Sequence, residues 1–165
     1  MHQEDFAQIE GFWEYTITSC GRVINNNTGR ELALTEVRGG ELTVGLMRHG
    51  KTHRRSVKRL IAEAFVEGED EINDTPVLLD GRKDNLYSSN IVWRPRWLAW
   101  KYSQQFKEPQ PHWYLYGPIY DIIHNDRYDS VIDASMITGQ LAEDIFKSTQ
   151  EGTMVYPMGS LFVFI

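Results

Sequence analysis

The segment 41–66 constrains the fold more than any other, because its apolar spacing changes from a strand period to a helix period. Over 42–46 every second residue is a large apolar one, which predicts a β-strand with one buried face. His49-Gly50 is typical of a two-residue turn, and the basic stretch that follows predicts the partner strand. Ser56 suits the N-cap of a helix, and the apolar residues of 57–66 then recur three and four positions apart. The segment therefore predicts a basic β-hairpin followed directly by an amphipathic helix.

Turn and breaker residues divide the rest of the chain into short elements, which together indicate the α+β class. Helices are predicted over 95–106 and twice within 130–148, where Gly139 joins two short helices in the proportions of a helix-turn-helix. Aromatic, β-branched or apolar composition predicts strands in 11–24, 76–79, 114–120 and 161–165.

The run Pro109-Gln110-Pro111 breaks the helical pattern and is typical of a linker. It predicts a boundary between a first domain, residues 1–108, and a C-terminal module, residues 112–165.

Composition excludes several protein classes. Of the 165 residues, 41% are hydrophobic and 24% charged, close to the average for soluble globular chains, which excludes wholesale disorder. Cys20 is the single cysteine, so neither an intramolecular disulfide nor a cysteine-rich zinc site can form. No apolar run is long enough to span a bilayer, and the first residues lack a signal-peptide pattern. We therefore expect no membrane association and a cytoplasmic location.

Positive charge is concentrated in two segments of an acidic chain. The net charge is −6, yet residues 38–60 carry seven basic residues against Glu41, and residues 82–107 carry six against Asp84. This distribution favours a local anionic partner. The alternative is a mixed-charge surface whose blocks neutralise one another.

The cations of these two segments are candidates for binding nucleic acid. A basic two-stranded ribbon fits the major groove of duplex DNA. The motif Trp93-Arg94-Pro95-Arg96-Trp97 interleaves rings with cations, which suits stacking and phosphate contact. The alternative for its tryptophans is a helix whose rings pack into the core. The predicted nucleic-acid-binding residues are Arg48, Lys51, Arg54, Arg55, Lys58, Arg82, Lys83, Arg94, Arg96 and Lys101.

A recognisable pattern runs through several of these stretches. It begins with Ile9-Glu10-Gly11-Phe12 and Gly21-Arg22-Val23 and continues with the run Val-Lys-Arg-Leu-Ile-Ala-Glu-Ala-Phe at 57–65. Together they resemble the nuclease-associated modular domain of phage HNH homing endonucleases. Leu79-Asp80-Gly81 and Asn90-Ile91-Val92-Trp93 are similar to the two ends of the HNH signature of that family.

The resemblance covers residues 1–106 closely and 113–165 loosely. It implies a small antiparallel sheet or hairpin with a helix and a degenerate ββα-metal core of the HNH type. It also implies an appended helix-turn-helix-like module with flanking strands. A phage origin would place the protein in the host cytoplasm.

The catalytic positions depart from the family pattern. The resemblance implies a metal-binding Asp or Asn and a water-activating His just before Leu79-Asp80-Gly81, where this chain has Val77 and Leu78. Hydrocarbon side chains can neither bind Mg²⁺ nor accept a proton, and the retained Asn90 cannot hold a hard cation alone. Lys58 likewise replaces the His usual in the helix run. We therefore expect no metal, no cofactor and no catalytic residue in this chain.

One alternative would rebuild a metal site. His49 and His53 flank the hairpin turn and, with Asp80 or Asp84, could make the chain an active HNH endonuclease with relocated ligands. The competing interpretation is an exposed hairpin whose histidines add to a basic surface.

Two function classes compete beyond that alternative. The leading hypothesis is a catalytically inactive, HNH-endonuclease-like phage protein that binds double-stranded DNA as a regulator or accessory factor. The other is a protein-interaction factor that binds or inhibits a host protein, such as a polymerase or a defence enzyme, through acidic surfaces.

The C-terminal module favours protein over DNA as its own partner. Between Ser130 and Ser148 the only cation is Lys147, and a helix that approaches a duplex with so few cations meets phosphate repulsion. Residues 113–165 are therefore predicted to bind a host or phage protein, or a second copy of this chain.

Overall fold

Short strands and helices alternate along the computed structural model, which describes residues 3–165. They form two compact units, one of residues 3–78 and 82–95 and the other of residues 79–81 and 96–165. The sheets in the described part are antiparallel, with two or three strands each, which confirms the predicted α+β class. Every helix within residues 3–165 is too short or too polar to cross a bilayer.

The first unit contains the predicted basic hairpin, two further small sheets, one α-helix and a 3-10 turn at Ser88–Asn90. Its strands pair in the orders β1-β2-β3, β4-β5-β6 and β7-β8. The elements are β1 (Phe6–Ile9), β2 (Phe12–Thr18), β3 (Val23–Asn25), β4 (Thr35–Glu36), β5 (Leu42–Arg48), β6 (Lys51–Ser56), α1 (Val57–Phe65), β7 (Thr75–Leu78) and β8 (Ile91–Arg94).

The hairpin and α1 form as their sequence predicts. His49 and Gly50 both have positive φ, 51° and 71°, which suits the right-handed twist of a tight two-residue hairpin turn. The Ser56 side chain accepts a hydrogen bond from the backbone N–H of Arg59 and so caps α1. The apolar faces of β5 and α1 are buried in one core, where Leu46 and Ile61 are fully inaccessible to solvent. Their burial fixes the register of the hairpin.

The second unit combines four helices with a three-stranded sheet of order β10-β9-β11. Its elements are α2 (Arg96–Gln105), α3 (Pro111–Leu115), β9 (Ile119–Asp121), β10 (Asp126–Tyr128), α4 (Val131–Thr138), α5 (Ala142–Glu151) and β11 (Phe162–Phe164). The predicted helix pair is α4 and α5, and Gly139 ends α4 in the left-handed conformation.

Buried polar contacts tie α2 to the C-terminal elements. The Gln105 amide donates a hydrogen bond to the Ser135 hydroxyl and accepts one from the backbone N–H of Ala142, each of 3.0 Å. The division between the units therefore follows Pro95. It differs from the predicted boundary at 109–111 because α2 packs against residues that follow that breaker run.

The strand predicted over 114–120 is wrong for its first half. Residues Pro111–Leu115 form α3, and the strand begins only at Ile119. Proline suits the first turn of a helix, because its φ is already helical and the N–H it lacks would have no partner there. The aromatic residues that suggested a strand instead include the buried Trp113 of a short helix.

Candidate nucleic-acid interface

The β5–β6 hairpin presents its cations on both faces. Cross-strand pairing places Arg55 opposite Val44 and His53 opposite Leu46, so these two side chains share the face that carries the core residues. Arg54 lies on the other face.

Phe12 organises the cations on the core-facing side. The guanidinium carbon of Arg55 lies 5.1 Å from the centre of the Phe12 ring, and that of Arg48 lies 5.8 Å from it. His53 contacts the same ring edge to face at 5.5 Å. Both arginines remain exposed. Arg55 Nη1 donates a hydrogen bond of 3.0 Å to the Arg54 carbonyl, and the ring orients both side chains while their other donors stay available. We call Phe12, Arg48 and Arg55 the arginine platform.

Arg54 and Lys51 complete the basic hairpin. Arg54 Nη1 donates a hydrogen bond of 3.0 Å to Thr43 Oγ1, and Lys51 lies exposed beside the turn. Among residues 3–165, none of the four hairpin cations has a carboxylate within ion-pairing distance. Their charge is therefore not neutralised by a close internal carboxylate.

Lys58 and Lys83 line one small cavity of the first unit, and the other two predicted cations of that unit, Arg82 and Arg94, have internal partners. Arg82 forms an ion pair of 3.2 Å with Asp84, and Arg94 Nη1 donates to the backbone carbonyl of Trp93 at 2.8 Å.

The last two predicted cations, Arg96 and Lys101, belong to the second unit, whereas the hairpin belongs to the first. Arg96 is exposed at the start of α2, and Lys101 Nζ lies 5.8 Å from the ring centre of Trp97. The tryptophans of this segment differ in their exposure to solvent. Trp97 and Trp100 are exposed, whereas Trp93 is buried and donates from Nε1 to the Val66 carbonyl at 2.9 Å.

The HNH-like hairpin β7–β8 offers no ligands for a metal. Val77 is only 4% exposed, and Leu78 packs against the core of the first unit. Asn90 Nδ2 donates a hydrogen bond of 3.0 Å to the Asn85 carbonyl. Within the described residues no group of three or more His, Cys, Asp or Glu side chains could hold a metal ion, His49 and His53 included. These residues do not fit the hydrolytic Mg²⁺ that the family resemblance implies.

Phe12 is the functional candidate that sequence reasoning missed. It stands in the quoted pattern Ile9-Glu10-Gly11-Phe12, but nothing in the sequence pairs it with arginines more than 30 positions away. Only the packing of β2 against β5 and β6 brings them together.

The second unit contains a larger groove of about 710 Å³ with an acidic rim. Aromatic rings of Trp100, Trp113 and Phe146 line it. Its charged residues are Glu108, Glu143, Asp144, Glu151, Lys101 and Lys147. Burial and the neighbouring Glu143 raise the pKa of Asp144.

Comparison with known proteins identifies a phage endonuclease to which this chain is similar. The sequence matches no protein-family model. It is 33% identical over 95 residues to the DNA endonuclease I-HmuI of Bacillus phage SP01, and the match covers 56% of this chain and 52% of that protein. The chain thus matches about half the length of this relative.

A solved structure extends the likeness to the whole fold. The structure described as DNA binding and cleavage by the HNH homing endonuclease I-HmuI superposes with a TM-score of 0.57 and 22% identity, covering 98% of both chains. The fold is therefore that of an HNH homing endonuclease, and about half of the chain is also similar in sequence to a phage enzyme of that kind.

Proposed function

We propose that this chain is a phage-encoded, double-stranded-DNA-binding protein that binds through the β5–β6 hairpin and does not cleave its target. It would act as a regulator or accessory factor in the host cytoplasm. The observation that carries the proposal is the set of four hairpin cations without a close carboxylate, two of them held on Phe12. The relative I-HmuI is itself named a DNA endonuclease, which supports the choice of partner.

The hairpin suits a duplex for electrostatic and geometric reasons. A two-stranded ribbon can enter the major groove, and arginine donors can reach phosphate oxygens or guanine edges. Because Arg54 and Arg55 lie on opposite faces of the ribbon, they can contact the two walls of a groove at once. Loss of catalysis follows from Val77 and Leu78, which supply neither a metal ligand nor a base.

A salt titration of DNA affinity tests this proposal. The probe is a fluorescent 30-base-pair duplex followed by anisotropy, and the variant is Arg54→Ala/Arg55→Ala. Each phosphate contact that is lost should reduce the slope of log affinity against log salt by about 0.9, so the variant should lose up to about 1.8.

The matched control is Arg30→Ala/Arg127→Ala, which removes the same charge from exposed sites outside the hairpin. Equal losses in both variants would mean that net charge, rather than the hairpin, determines binding. An unchanged slope in the hairpin variant would transfer the role to Arg94 and Arg96 or remove DNA as the partner.

The groove of the second unit favours a protein partner as a second candidate function. Four acids oppose two lysines there, one of which already pairs with Glu151 at 3.8 Å. A basic protein segment would meet both opposite charge and aromatic surface, whereas phosphate would meet repulsion. Helix α5 of the helix-turn-helix-like pair, which lines this groove, would then serve protein docking. Capture of a partner that survives nuclease treatment and is lost in Glu143→Gln/Asp144→Asn would support this function, and capture unaffected by that variant would contradict it.

A further inference from the structure

A small cavity in the first unit brings two lysines together beside the position of the missing general base. It measures about 50 Å³ and is lined by Glu41, Leu42, Lys58, Leu78, Lys83 and Leu86. This is far below the roughly 300–1,000 Å³ of pockets that hold whole small molecules. The cavity therefore suits one small group rather than a base or a nucleotide.

Lys83 is positioned by a glycine. A Cβ atom on Gly40 would stand 2.7 Å from Lys83 Nζ and 2.8 Å from its Cδ, so the lysine stem lies directly against the Gly40 backbone. Gly40 also has a φ of +84°, which disfavours other residues there. The loop before β5 thus leaves room for the side chain that reaches the cavity.

Lys58 enters the same cavity from the first turn of α1, where it is half-buried. Burial lowers its pKa, the charges of Lys83 and Arg59 lower it further, and Glu41 opposes the shift. Among residues 3–165, neither Lys58 nor Lys83 has a carboxylate within ion-pairing distance. Two ammonium groups brought together in this way repel each other, and an anion between them would relieve that cost.

The cavity carries one uncompensated positive charge. Glu41 provides its single carboxylate, and Glu41 Oε1 already accepts a hydrogen bond of 2.7 Å from the Ser56 hydroxyl. With two lysines against one carboxylate, the net charge is +1, which one phosphodiester neutralises. Leu78 forms one wall, so such a phosphate would lie beside a side chain that cannot activate water.

We propose that Lys58 and Lys83 bind a single phosphodiester of the duplex in this cavity, supplying by two ammonium groups the positive charge that no metal supplies there. The inference rests on the proposed DNA-binding function, and it makes the degenerate HNH region a second, separate contact to the DNA backbone. Lys58 and Leu78 both depart from the family pattern, and the structure brings them to one cavity.

The test compares Lys58→Met, Lys83→Met and the double variant with Lys107→Met, an exposed lysine of the second unit. Methionine keeps the apolar stem, so the fold is preserved, which thermal denaturation checks. Because both lysines bind one phosphate, the double variant should lose about 0.9 of the salt slope rather than twice that value. Its affinity for the 30-base-pair duplex should fall roughly tenfold at physiological salt, and Lys107→Met should change neither quantity.

Glu41→Gln provides a gain-of-binding test that damage to the fold cannot imitate. Removal of the competing carboxylate should tighten binding roughly fivefold at low salt, and combining it with the double variant should abolish that gain. A double variant with unchanged slope and affinity, in a protein that does bind DNA, would overturn the phosphate site and leave the hairpin interface standing.

Inorganic phosphate separates failure of this site from failure of DNA binding altogether. Titration of the protein with phosphate, followed by the lysine side-chain NMR resonances, should move Lys58 and Lys83 together, and Lys83→Met should weaken the response of Lys58. If the protein does not bind duplex DNA yet these shifts occur, the proposed function is wrong and the phosphate site stands. Absence of the shifts and of a slope change overturns the site.

Discussion

Replacing Phe12 with leucine should separate the orientation of the hairpin arginines from their charge. Phe12 is 8% exposed, and its ring faces the guanidinium groups of Arg55 and Arg48 at 5.1 and 5.8 Å. Cation–π contacts at exposed sites contribute about 0.5–1 kcal/mol each, so the two together contribute about 1–2 kcal/mol to the free energy of unfolding. The smaller leucine costs roughly a further 1 kcal/mol through imperfect packing.

A double-mutant cycle isolates the contact from the packing loss. Urea denaturation of Phe12→Leu, Arg55→Gln and the combined variant should give a coupling energy of about 0.5–1 kcal/mol. A coupling energy of zero would mean that the ring does not hold Arg55.

The same substitution makes a distinct prediction for DNA. With the ring removed, both arginines must be ordered on binding, which costs about 0.5–1.5 kcal/mol for each side chain and should weaken affinity roughly tenfold. The number of phosphates contacted does not change, so the salt slope of Phe12→Leu should equal that of the wild type, whereas Arg55→Gln should reduce it by about 0.9. A reduced slope in Phe12→Leu would refute the role of the platform in orienting the arginines.

Two further predictions concern catalysis and acid stability. Purified protein should not nick plasmid DNA in Mg²⁺ or Mn²⁺, because loss of a general base alone costs about 10²–10⁴ in rate, and metal-dependent nicking that Asn90→Ala abolishes would contradict this. Burial would raise the pKa of the Asp121 carboxylate, which is 1% exposed, but hydrogen bonds from Ser160 and His124 hold that pKa below its usual value. Its contribution to stability is therefore present above about pH 4 and lost as the pH falls through the lowered pKa. Asp121→Asn should flatten the acid limb of the free energy of unfolding, and an unchanged acid limb would exclude Asp121 as the titrating group.

Local sequence patterns predicted the elements whose burial is set by neighbours in the chain. The β5–β6 hairpin, its turn and α1 all lie within 42–65, and their two periods indicated which faces are buried. The pair α4–α5 was likewise predicted, because Gly139 separates two apolar stretches. Such contacts are local, so composition and spacing carry the information.

The elements that sequence reasoning missed depend on distant partners or on chain geometry. Helix α3 replaced a predicted strand. The helical φ of Pro111 favours the first turn of a helix, and this preference prevailed over the strand preference of the aromatic residues that follow. The assignment of α2 to the second unit depends on Gln105, whose partners Ser135 and Ala142 lie at least 30 positions later. A polar residue in an ordinary helix gives no signal of such a role.

The sequence likewise predicted some features of the candidate site and missed others. The sequence predicted which cations belong to the site, because the concentration of basic residues in two segments selected the hairpin residues, Lys58 and Lys83. Their geometry was not, because the two faces of the hairpin, the Phe12 ring and the shared cavity arise from tertiary packing. The interruption of the HNH pattern at Val77 and Leu78 was visible in sequence only because a resemblance supplied the expected residues.

The burial of Val77 and the partial burial of Leu78 give a physical reason why this scaffold would persist without a metal site, as the proposed function requires. A carboxylate at a position 4% exposed is costly unless a cation compensates it, and replacing buried charge by well-packed apolar groups is often neutral or stabilising by about 1–4 kcal/mol. The Trp93 Nε1 hydrogen bond to the Val66 carbonyl also holds this region, and it involves neither position. Under the proposed function, apolar residues at 77 and 78 would therefore remove the requirement for a metal while the hairpin that carries them keeps its packing. Under the proposed function, a chain selected for DNA binding alone would keep its basic surfaces without needing a carboxylate or a histidine at these two positions, and the basic hairpin together with Val77 and Leu78 fits that expectation.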